Sequence, residues 1–591
     1  MQEHWAKLGE PSKTERKEET KSKAEQTVGH VSRRDFLKKA VPVIAGVGLA
    51  GVLRVEPIFG ASSNVRPNQG NQLSTASYII YYQDNFYAQN GTTGIIDYSG
   101  TDAGIVIQAA IDALQDGGLI VLRRGIYPLN NSIKLGQGIH LLGERGAVLR
   151  VGDHSQSFSN PFNLLEVKGD DVTIENLDLD GNAAANANVA GTTIDPAPAN
   201  PDMQSGIMIR SGQNAKIFNC YVHDTWNAGI WLAASDGDVN GSEIASCLIQ
   251  RTGKSYNDPL STNPPQSANA VYVFRLSGST SKSNIHDNQI SDTYGRGIYL
   301  HFDTDSMVSN NILTNTLNPP QETSGIIVDD ATKKAIIRGN KISGYGPGIF
   351  IAWAACEDII VEANNCFDAP NCGGAGSGIV IDTAVANGPA QRTVIIRGNI
   401  CKGNAFFGIS VAASNTIVEG NICYNNNQDS SESAPRKAGI IVLTGQAPLI
   451  SNISIIGNRC FDDQSIPTQE YGVSISQMLN QITDVLISNN DLRGNGAGAI
   501  GELDCSLRRV TGNLGYNPQG LASIPVGGSP FTYTNRDGYP QAVYVVGGAV
   551  SEISKDGTAI FASSPATIWL APDESVTITH SDPPQIMKDG I

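Results

Sequence analysis

Residues 297–300 read Gly297-Ile298-Tyr299-Leu300, and this pattern recurs along the middle of the chain: glycine, Ile or Val, any residue, then an aliphatic residue. Further copies begin at Gly206, Gly229, Gly325, Gly348, Gly378, Gly408, Gly439 and Gly472. Ala270-Val271-Tyr272-Val273 fits with alanine in the first position. Successive copies start 23 to 41 residues apart. A period in this range predicts a solenoid of stacked units.

A second short unit alternates with the first: an apolar residue, two residues, asparagine, one residue, then an apolar residue or cysteine. Examples are Ile337-Arg338-Gly339-Asn340-Lys341-Ile342 and the run from Ile396 to Cys401. Stacked Asn side chains can hydrogen-bond one another, and Asn tolerates left-handed turns. Cysteines that take the place of Ile342 are predicted to be small core residues; disulfides are the alternative. These are Cys366, Cys401, Cys423 and Cys460.

Both units alternate with period two, as short strands do. One coil of two or three such strands cannot bury its inner face alone, whereas stacked coils share a continuous core. The sequence therefore predicts a right-handed parallel β-helix. A leucine-rich repeat would need a Leu-x-x-Leu-x-Leu spacing, which is absent, and a propeller would need longer and more regular blades.

The ends of the chain depart from the repeat. Residues 104–116 carry apolar residues at helical spacing and predict a helix that caps the open end of the solenoid. Residues 517–591 contain strand-like runs separated by Gly, Asn and Asp, and predict a small antiparallel β module. Capping or accessory binding is the favoured role for this module, with carbohydrate binding and trimerisation as alternatives.

The first 61 residues differ in composition from the remainder. Residues 1–31 are polar and charged, and are predicted to be disordered. The following Arg33-Arg34-Asp35-Phe36-Leu37 and an apolar run resemble a twin-arginine export signal. The domains expected are 1–61 (disordered region and signal), 62–96 (linker and leading strand), 97–516 (β-helix) and 517–591 (β module). The net charge of −16 argues against nucleic acid as a partner.

Several stretches carry a family resemblance: DAGIVIQAAIDAL at 102–114, GGLIVLRRGIY at 117–127 and IHLLGERGAVL at 139–149. They resemble the N-terminal part of pectate-lyase-like β-helix proteins, and residues 172–500 resemble the right-handed β-helix repeat family. The resemblance implies a polysaccharide lyase, a glycoside hydrolase or a uronan epimerase. The Asp-Pro-His motif of mannuronan epimerases and the Trp-x-Asp-His motif of pectate lyases are both absent.

The third residue of each Gly-Ile-x-Leu unit is expected to point outward, which places aromatic residues in one column. The candidates for substrate binding are Trp231, Tyr272, Tyr299, Phe350 and the nearby Trp353. An exposed ladder of rings would stack on a sugar chain. The alternative is that the rings pack beneath a loop.

The position after each unit is ionisable in several adjacent coils. The candidate catalytic residues are Arg275, His301, Asp303, Asp329, Asp330 and Asp382. In a lyase, Arg275 or His301 would take the proton next to a uronate carboxylate, and Ca²⁺ held by Asp303, Asp329 and Asp330 would neutralise that carboxylate. In a hydrolase, two Asp one or two coils apart would be the acid and the base or nucleophile. Turn-forming Asp is the structural alternative.

The sequence therefore favours an exported enzyme that cleaves or modifies a polysaccharide, most simply an acidic one. Its other partner would be the twin-arginine translocase during export, and it would meet a membrane only through an uncleaved signal. It would reside in the periplasm, outside the cell or on the cell surface. The rival hypothesis is a non-catalytic surface or secreted protein that binds glycans. Carboxyl groups that are buried and satisfied by backbone amides would favour the rival.

Overall fold

A computed structural model describes residues 76–155, 162–186, 204–254, 268–317, 323–352, 356–372, 375–382, 393–431, 436–444, 449–477, 481–516 and 521–590. Arg33, Arg34 and Trp353 lie outside these described residues. Within them the chain winds through three long, mostly parallel sheets, called here sheets A, B and C. Each complete coil adds a strand to each sheet, so the predicted right-handed parallel β-helix is confirmed.

Sheet A has 18 strands. They are Tyr78–Tyr82, Phe86–Asn90, Ile96–Gly100, Gly118–Leu122, Ile139–Gly143, Thr173–Glu175, Lys216–Phe218, Glu243–Ala245, Asn284–His286, Met307–Ser309, Ile336–Arg338, Ile359–Glu362, Val394–Arg397, Thr416–Glu419, Leu449–Ile450, Ile453–Ile456, Gln481–Ser488 and Ser506–Thr511.

Sheet B has 12 strands. They are Gly125–Leu129, Ala147–Val151, Asp178–Asp180, Tyr221–His223, Leu248–Gln250, Gln289–Ser291, Ile312–Thr314, Lys341–Ser343, Asn365–Phe367, Ile400–Lys402, Ile422–Tyr424 and Arg459–Phe461.

Sheet C has 15 strands. They are Ile133–Leu135, Leu165–Lys168, Ile207–Gln213, Ile230–Leu232, Val239–Asn240, Asn269–Phe274, Thr280–Ser281, Arg296–His301, Ile326–Asp329, Ile349–Ala352, Ile379–Asp382, Ile409–Ala412, Ala438–Leu443, Tyr471–Ser476 and Gly498–Leu503.

The two sequence units occupy equivalent positions in successive coils. In sheet C, Ile298 pairs with Ile326, and Ile326 pairs with Ile349. In sheet B, Cys366, Cys401, Cys423 and Cys460 are in register one after another, and all are buried. All nine cysteines are free thiols, which agrees with their expected role as small core residues.

A ladder of asparagines, buried except for the half-buried Asn513, follows the turn between sheets A and B. Each side chain accepts from the main-chain and side-chain amides of the preceding Asn and donates to the next. Its members are Asn288, Asn311, Asn340, Asn364, Asn399, Asn421, Asn458, Asn490 and Asn513. The left-handed conformation falls on the residue before each Asn, for example Gly339 (φ 65°) and Ala363 (φ 54°). The ladder Asn thus supplies hydrogen bonds, and its neighbour makes the bend.

The N-terminal end of sheet A is closed by two elements. Tyr78–Tyr82, Phe86–Asn90 and Ile96–Gly100 form an antiparallel meander, and Tyr78–Tyr82 also pairs in parallel with Gly118–Leu122. Helix α1, Ala103–Asp112, begins at Asp102, whose carboxylate accepts from the Ile105 amide. Its apolar face, including Val106 and Ile107, belongs to the same buried core as the coils. A second, short helix, α2, spans Ala183–Asn186.

The C-terminal residues form two four-stranded antiparallel sheets, as the sequence predicts. One contains Ala522–Ile524, Gln585–Gly590, Gln541–Val546 and Ala566–Leu570, and the other contains Phe531–Thr534, Ser575–Asp582, Ala549–Lys555 and Thr558–Phe561. Their apolar residues form a core of their own. Neither helix in the described part of the chain is long and apolar enough to cross a membrane.

Candidate functional site

The candidate site lies on the outer face of sheet C, on the strands Arg296–His301 and Ile326–Asp329. In these strands Ile298, Leu300, Ile326 and Val328 belong to the internal core. Because strand side chains alternate, Tyr299, His301 and Asp329 project outward. His301 pairs in register with Asp329 of the next coil. The repeat thus brings side chains about 30 residues apart in sequence into contact.

His301 and Asp330 form a hydrogen-bonded pair at the centre of the site. His301 Nε2 lies 2.8 Å from Asp330 Oδ2. The His301 side chain is 7% exposed and that of Asp330 is 45% exposed, so the pair opens to solvent on the carboxylate side. Burial lowers the pKa of His301; the bond to Asp330 opposes this, and the positive charges of Arg296 and Arg275 add to it. The imidazole is therefore neutral at pH 7.

Asp329 has a different environment from Asp330. Its Oδ2 accepts from the Tyr299 hydroxyl at 2.7 Å, and its Oδ1 accepts from the Asp330 amide at 2.7 Å. Burial raises the pKa of Asp329 to about 7; the Tyr299 bond opposes this, and the negative charge of Asp330 adds to it. Asp329 is thus buried and accepts one backbone amide, which is part of what a structural carboxyl requires. Asp330 is partly exposed and does not meet this requirement.

Two guanidinium groups and several rings border the cluster. Arg275 is exposed and lies 4.9 Å above the Phe302 ring, and Arg296 lies 5.1 Å above the Tyr299 ring. The His301 ring is in contact with Phe274 (4.7 Å between centroids) and with Phe302 (4.4 Å). The cluster therefore combines positive charge for an anionic ligand with an imidazole held in one orientation.

Asp303 is separated from this group, although the sequence suggested that it joins Asp329 and Asp330 around Ca²⁺. Phe302 adopts a left-handed conformation (φ 55°), and Asp303 beyond it is only 1% exposed. Burial raises the pKa of Asp303 to about 6, opposed by the hydroxyl of Ser306 and the amide of Thr304. The bend at Phe302 turns Asp303 into the solenoid, so the proposed Ca²⁺ ligands do not come together.

Asp382 also lies apart from His301. It pairs with Ala352, which occupies the Asp329 position one coil further along, and so Asp382 is two coils from Asp329. Its side chain is half-buried. Of the six candidate catalytic residues, the structure groups His301, Asp329, Asp330 and Arg275.

The aromatic column exists, but its rings are buried. Trp231 and Tyr272 have ring centroids 5.5 Å apart, and Tyr272 and Tyr299 have centroids 5.2 Å apart. Trp231 is 1% exposed, Tyr272 and Tyr299 are each 2% exposed, and Phe350 is 8% exposed. This matches the packed alternative, and the expectation of open ring faces is not met in the described residues. Tyr299 serves instead as a hydrogen-bond donor to Asp329.

A second ionisable group surrounds His223 on sheet B. His223 Nε2 lies 2.9 Å from Asp178 Oδ1, and His223 Nδ1 lies 2.6 Å from Asp224 Oδ2. Asp224 is also paired with Arg251 at 2.6 Å. Burial lowers the pKa of His223, but the hydrogen bonds to Asp178 and Asp224 outweigh it and raise the pKa to about 9. Both ring nitrogens are engaged, so this is a structural ion-pair network.

Sequence reasoning missed Arg296 and the role of Tyr299. Arg296 begins the strand, three residues before Tyr299, and its guanidinium lies over the Tyr299 ring. A cation at the start of a strand that carries an outward aromatic residue was the available signal. The contacts of Phe274 and Phe302 with His301 depend on the bend at Phe302, for which the sequence offers no marker.

Parallel sheets, in-register columns and a shared internal core define the chain as a parallel β-helix repeat protein. Residues 254–387, which contain the His301 cluster, match the family model described as periplasmic copper-binding protein (NosD). No curated protein sequence matches the chain.

Similar solved structures include the A-module of the mannuronan C-5 epimerase AlgE6 from Azotobacter vinelandii (15% identity, TM-score 0.43, covering 71% of this chain and 96% of that one). The Dettilon tailspike protein is also similar (14% identity, TM-score 0.41, covering 83% of this chain and 91% of that one). A third is PfbA, a surface adhesin of Streptococcus pneumoniae (14% identity, TM-score 0.35, covering 66% of this chain and 81% of that one).

The His301 cluster does not fit a copper site. One ligand atom each of His301, Asp329 and Asp330 lies within 4.8 Å of the others, but only one of them is an imidazole. Both Asp329 oxygens already accept hydrogen bonds, and His301 Nε2 is engaged with Asp330. Copper(I) prefers thiolate and thioether ligands, whereas all nine thiols here are buried.

Proposed function

We propose that this protein is exported and cleaves or modifies an acidic polysaccharide by acid–base chemistry at the His301 cluster. One observation carries the proposal: a neutral imidazole lies beside a carboxyl group that titrates near neutrality. Burial lowers the pKa of His301 and raises the pKa of Asp329 to about 7. A base and an acid are thus available together at pH 7, as proton transfer requires.

The proposed reaction begins at the carbon next to a uronate carboxylate. His301 takes the proton from that carbon, and the electron pair left behind is delocalised into the carboxylate. Arg275, which is exposed at the edge of the cluster, pairs with the carboxylate and stabilises this charge. Asp330 holds the imidazole through its 2.8 Å bond to Nε2, so Nδ1 is the basic nitrogen. Nδ1 is buried and has no hydrogen-bond partner within the described residues, so a sugar reaches it only if the neighbouring side chains move aside.

Two outcomes follow from the same intermediate. In a lyase the electron pair forms a carbon–carbon double bond while the glycosidic carbon–oxygen bond breaks, and Asp329 gives its proton to the leaving oxygen. In an epimerase the carbon takes a proton from water on its opposite face, and His301 later releases the first proton to solvent. A hydrolase that pairs Asp303 with Asp329 has less support, because Asp303 is buried in the core and Asp329 lies on the outer face.

Export and location rest on two further observations. The run Arg33-Arg34-Asp35-Phe36-Leu37 resembles a twin-arginine signal. The family whose model matches residues 254–387 is described as periplasmic. Both support a periplasmic, cell-surface or extracellular location.

The second candidate is a non-catalytic protein that binds glycans. It is favoured by a polar groove of about 390 Å³ on another part of the solenoid. Its lining residues include Lys168, Asp170, Gln213, Asp238 and Ser279, whose polar groups suit sugar hydroxyls. The buried and hydrogen-bonded Asp329 also agrees with this candidate.

The test is activity of the mature protein on plant, algal and bacterial polyuronates, with and without Ca²⁺. Ultraviolet absorbance of the unsaturated uronate reports a lyase, proton exchange with deuterated water reports an epimerase, and new reducing ends without absorbance report a hydrolase. We expect His301→Gln to lose about 100-fold or more, the usual contribution of an acid–base group.

The chain offers a matched control in His286 and Asp287. This pair has the same 2.8 Å separation as His301 and Asp330, but lies on sheet A. His286→Gln and Asp287→Asn should keep full activity. Glycan binding without turnover, unchanged in His301→Gln, would favour the second candidate and refute the first.

A further inference from the structure

A group of polar side chains lies inside the solenoid, where the neighbouring coils are apolar. Backbone hydrogen bonds between successive coils define two inward columns. The first contains Val239, Thr280, Asp303, Thr332 and Cys356, and the second contains Ala215, Ser242, Ser283, Ser306 and Ala335; all ten are buried. Both columns are polar only in the coils around Asp303 and return to apolar residues on either side.

Several side-chain oxygens of this group lack hydrogen-bond partners. Within the described residues, neither carboxylate oxygen of Asp303 has one, nor do the hydroxyls of Thr280, Ser283 and Ser242. The hydroxyls of Ser306 and Thr280 are the two that lower the pKa of the Asp303 carboxyl. Buried polar atoms are rarely left unpaired, and a buried carboxylate needs a compensating charge.

We propose that Asp303, with the hydroxyls of Thr280, Ser283 and Ser306, binds an alkali-metal cation inside the solenoid. The donors are all oxygens, which suit hard cations. One carboxylate with neutral hydroxyls balances a single positive charge, whereas a divalent ion would leave an excess charge in the core. Neither column contains Lys, Arg or His, so no side chain in them supplies that charge.

The bound cation stabilises the turn that orients the outer cluster. The Asp303 amide donates to Thr332 Oγ1 at 3.3 Å, and Thr332 Oγ1 donates to the Asp329 carbonyl at 2.7 Å. His301 precedes Asp303 by two residues, and Phe302 between them is in the left-handed conformation. The internal site thus links the segments that carry His301 and Asp329, and it is independent of any activity at the surface.

The test compares thermal unfolding of the full chain in NaCl, KCl and choline chloride at equal ionic strength. For the wild type, we expect a midpoint that is higher in Na⁺ or K⁺ and rises with the logarithm of its concentration. Asp303→Asn should lose this dependence. Thr280→Val, which keeps the side-chain shape, should weaken it and serves if Asp303→Asn does not fold. Asp305→Asn is the control, because its carboxyl is 46% exposed.

A wild-type midpoint that is equal in the three salts would overturn the proposal and leave a water or a proton at Asp303. Crystals grown in RbCl give a direct measurement. An anomalous scattering peak between Asp303 and Ser306 is expected, and density for a water without that peak would also overturn the proposal.

Discussion

Asn399→Ala tests how far the asparagine ladder stabilises the solenoid. Asn399 is fully buried and lies in the middle of the ladder. Its Nδ2 donates to the Val361 carbonyl and to Asn421 Oδ1, each at 2.9 Å. Its Oδ1 accepts from the amide and the side chain of Asn364 at 2.9 and 3.0 Å. Alanine removes all four bonds in one substitution.

The expected loss follows from the groups that remain. Asn421 Oδ1 keeps the Asn399 main-chain amide as a donor. The Val361 carbonyl and the Asn364 main-chain amide lose this partner, whereas Asn364 Nδ2 keeps the Ile337 carbonyl. At about 1–2 kcal/mol for each buried group left unpaired, the free energy of unfolding should fall by about 3 kcal/mol.

The assay is urea denaturation followed by far-ultraviolet circular dichroism. Asn131→Ala, at an exposed position, is the control and should change the free energy of unfolding by about 0.5 kcal/mol or less. Asn288→Ala, at the first position of the ladder, should lower the free energy of unfolding less than Asn399→Ala does. Asn288 Oδ1 accepts from the Cys247 amide, and no ladder Asn precedes it. Equal effects of Asn399→Ala and Asn131→Ala would refute the reasoning.

Three further predictions concern titration and reactivity. The pKa of His223 is raised to about 9, above the usual 6.5, so its ion pairs stabilise the fold fully below about pH 6.5. This stability is lost as the pH rises through 9, and in His223→Gln the free energy of unfolding should depend less on pH between pH 6 and pH 10. Thiol reagents should label none of the nine cysteines in the native protein and all nine after denaturation, because all are buried and burial raises the pKa of Cys356 to about 12; rapid native labelling would contradict the packing. Tyr299→Phe removes a hydrogen bond that lowers the pKa of Asp329, so the alkaline limb of the pH–activity profile should move upward, and an unmoved limb would exclude Asp329 as the acid.

The sequence alone was sufficient for the architecture. Repeated Gly-Ile-x-Leu and Asn units define strands that pair in register, such as Ile298 with Ile326, because a solenoid places equal positions of each unit on top of one another. The same argument correctly placed the cysteines of sheet B in the core and predicted hydrogen bonds between stacked asparagines. It also brought His301 next to Asp329.

The tertiary structure alone decided which of these residues share a site. Periodicity gives the face of a strand but not what covers that face, so the burial of Trp231 and Tyr272 was not readable. Periodicity also does not predict which side a residue occupies after a bend. Phe302 is in the left-handed conformation, and Asp303 after it points inward whereas His301 before it points outward. Protonation depends on burial and on neighbouring charges from other coils, and so the contrast between His301 and Asp329 emerges only when the coils are stacked.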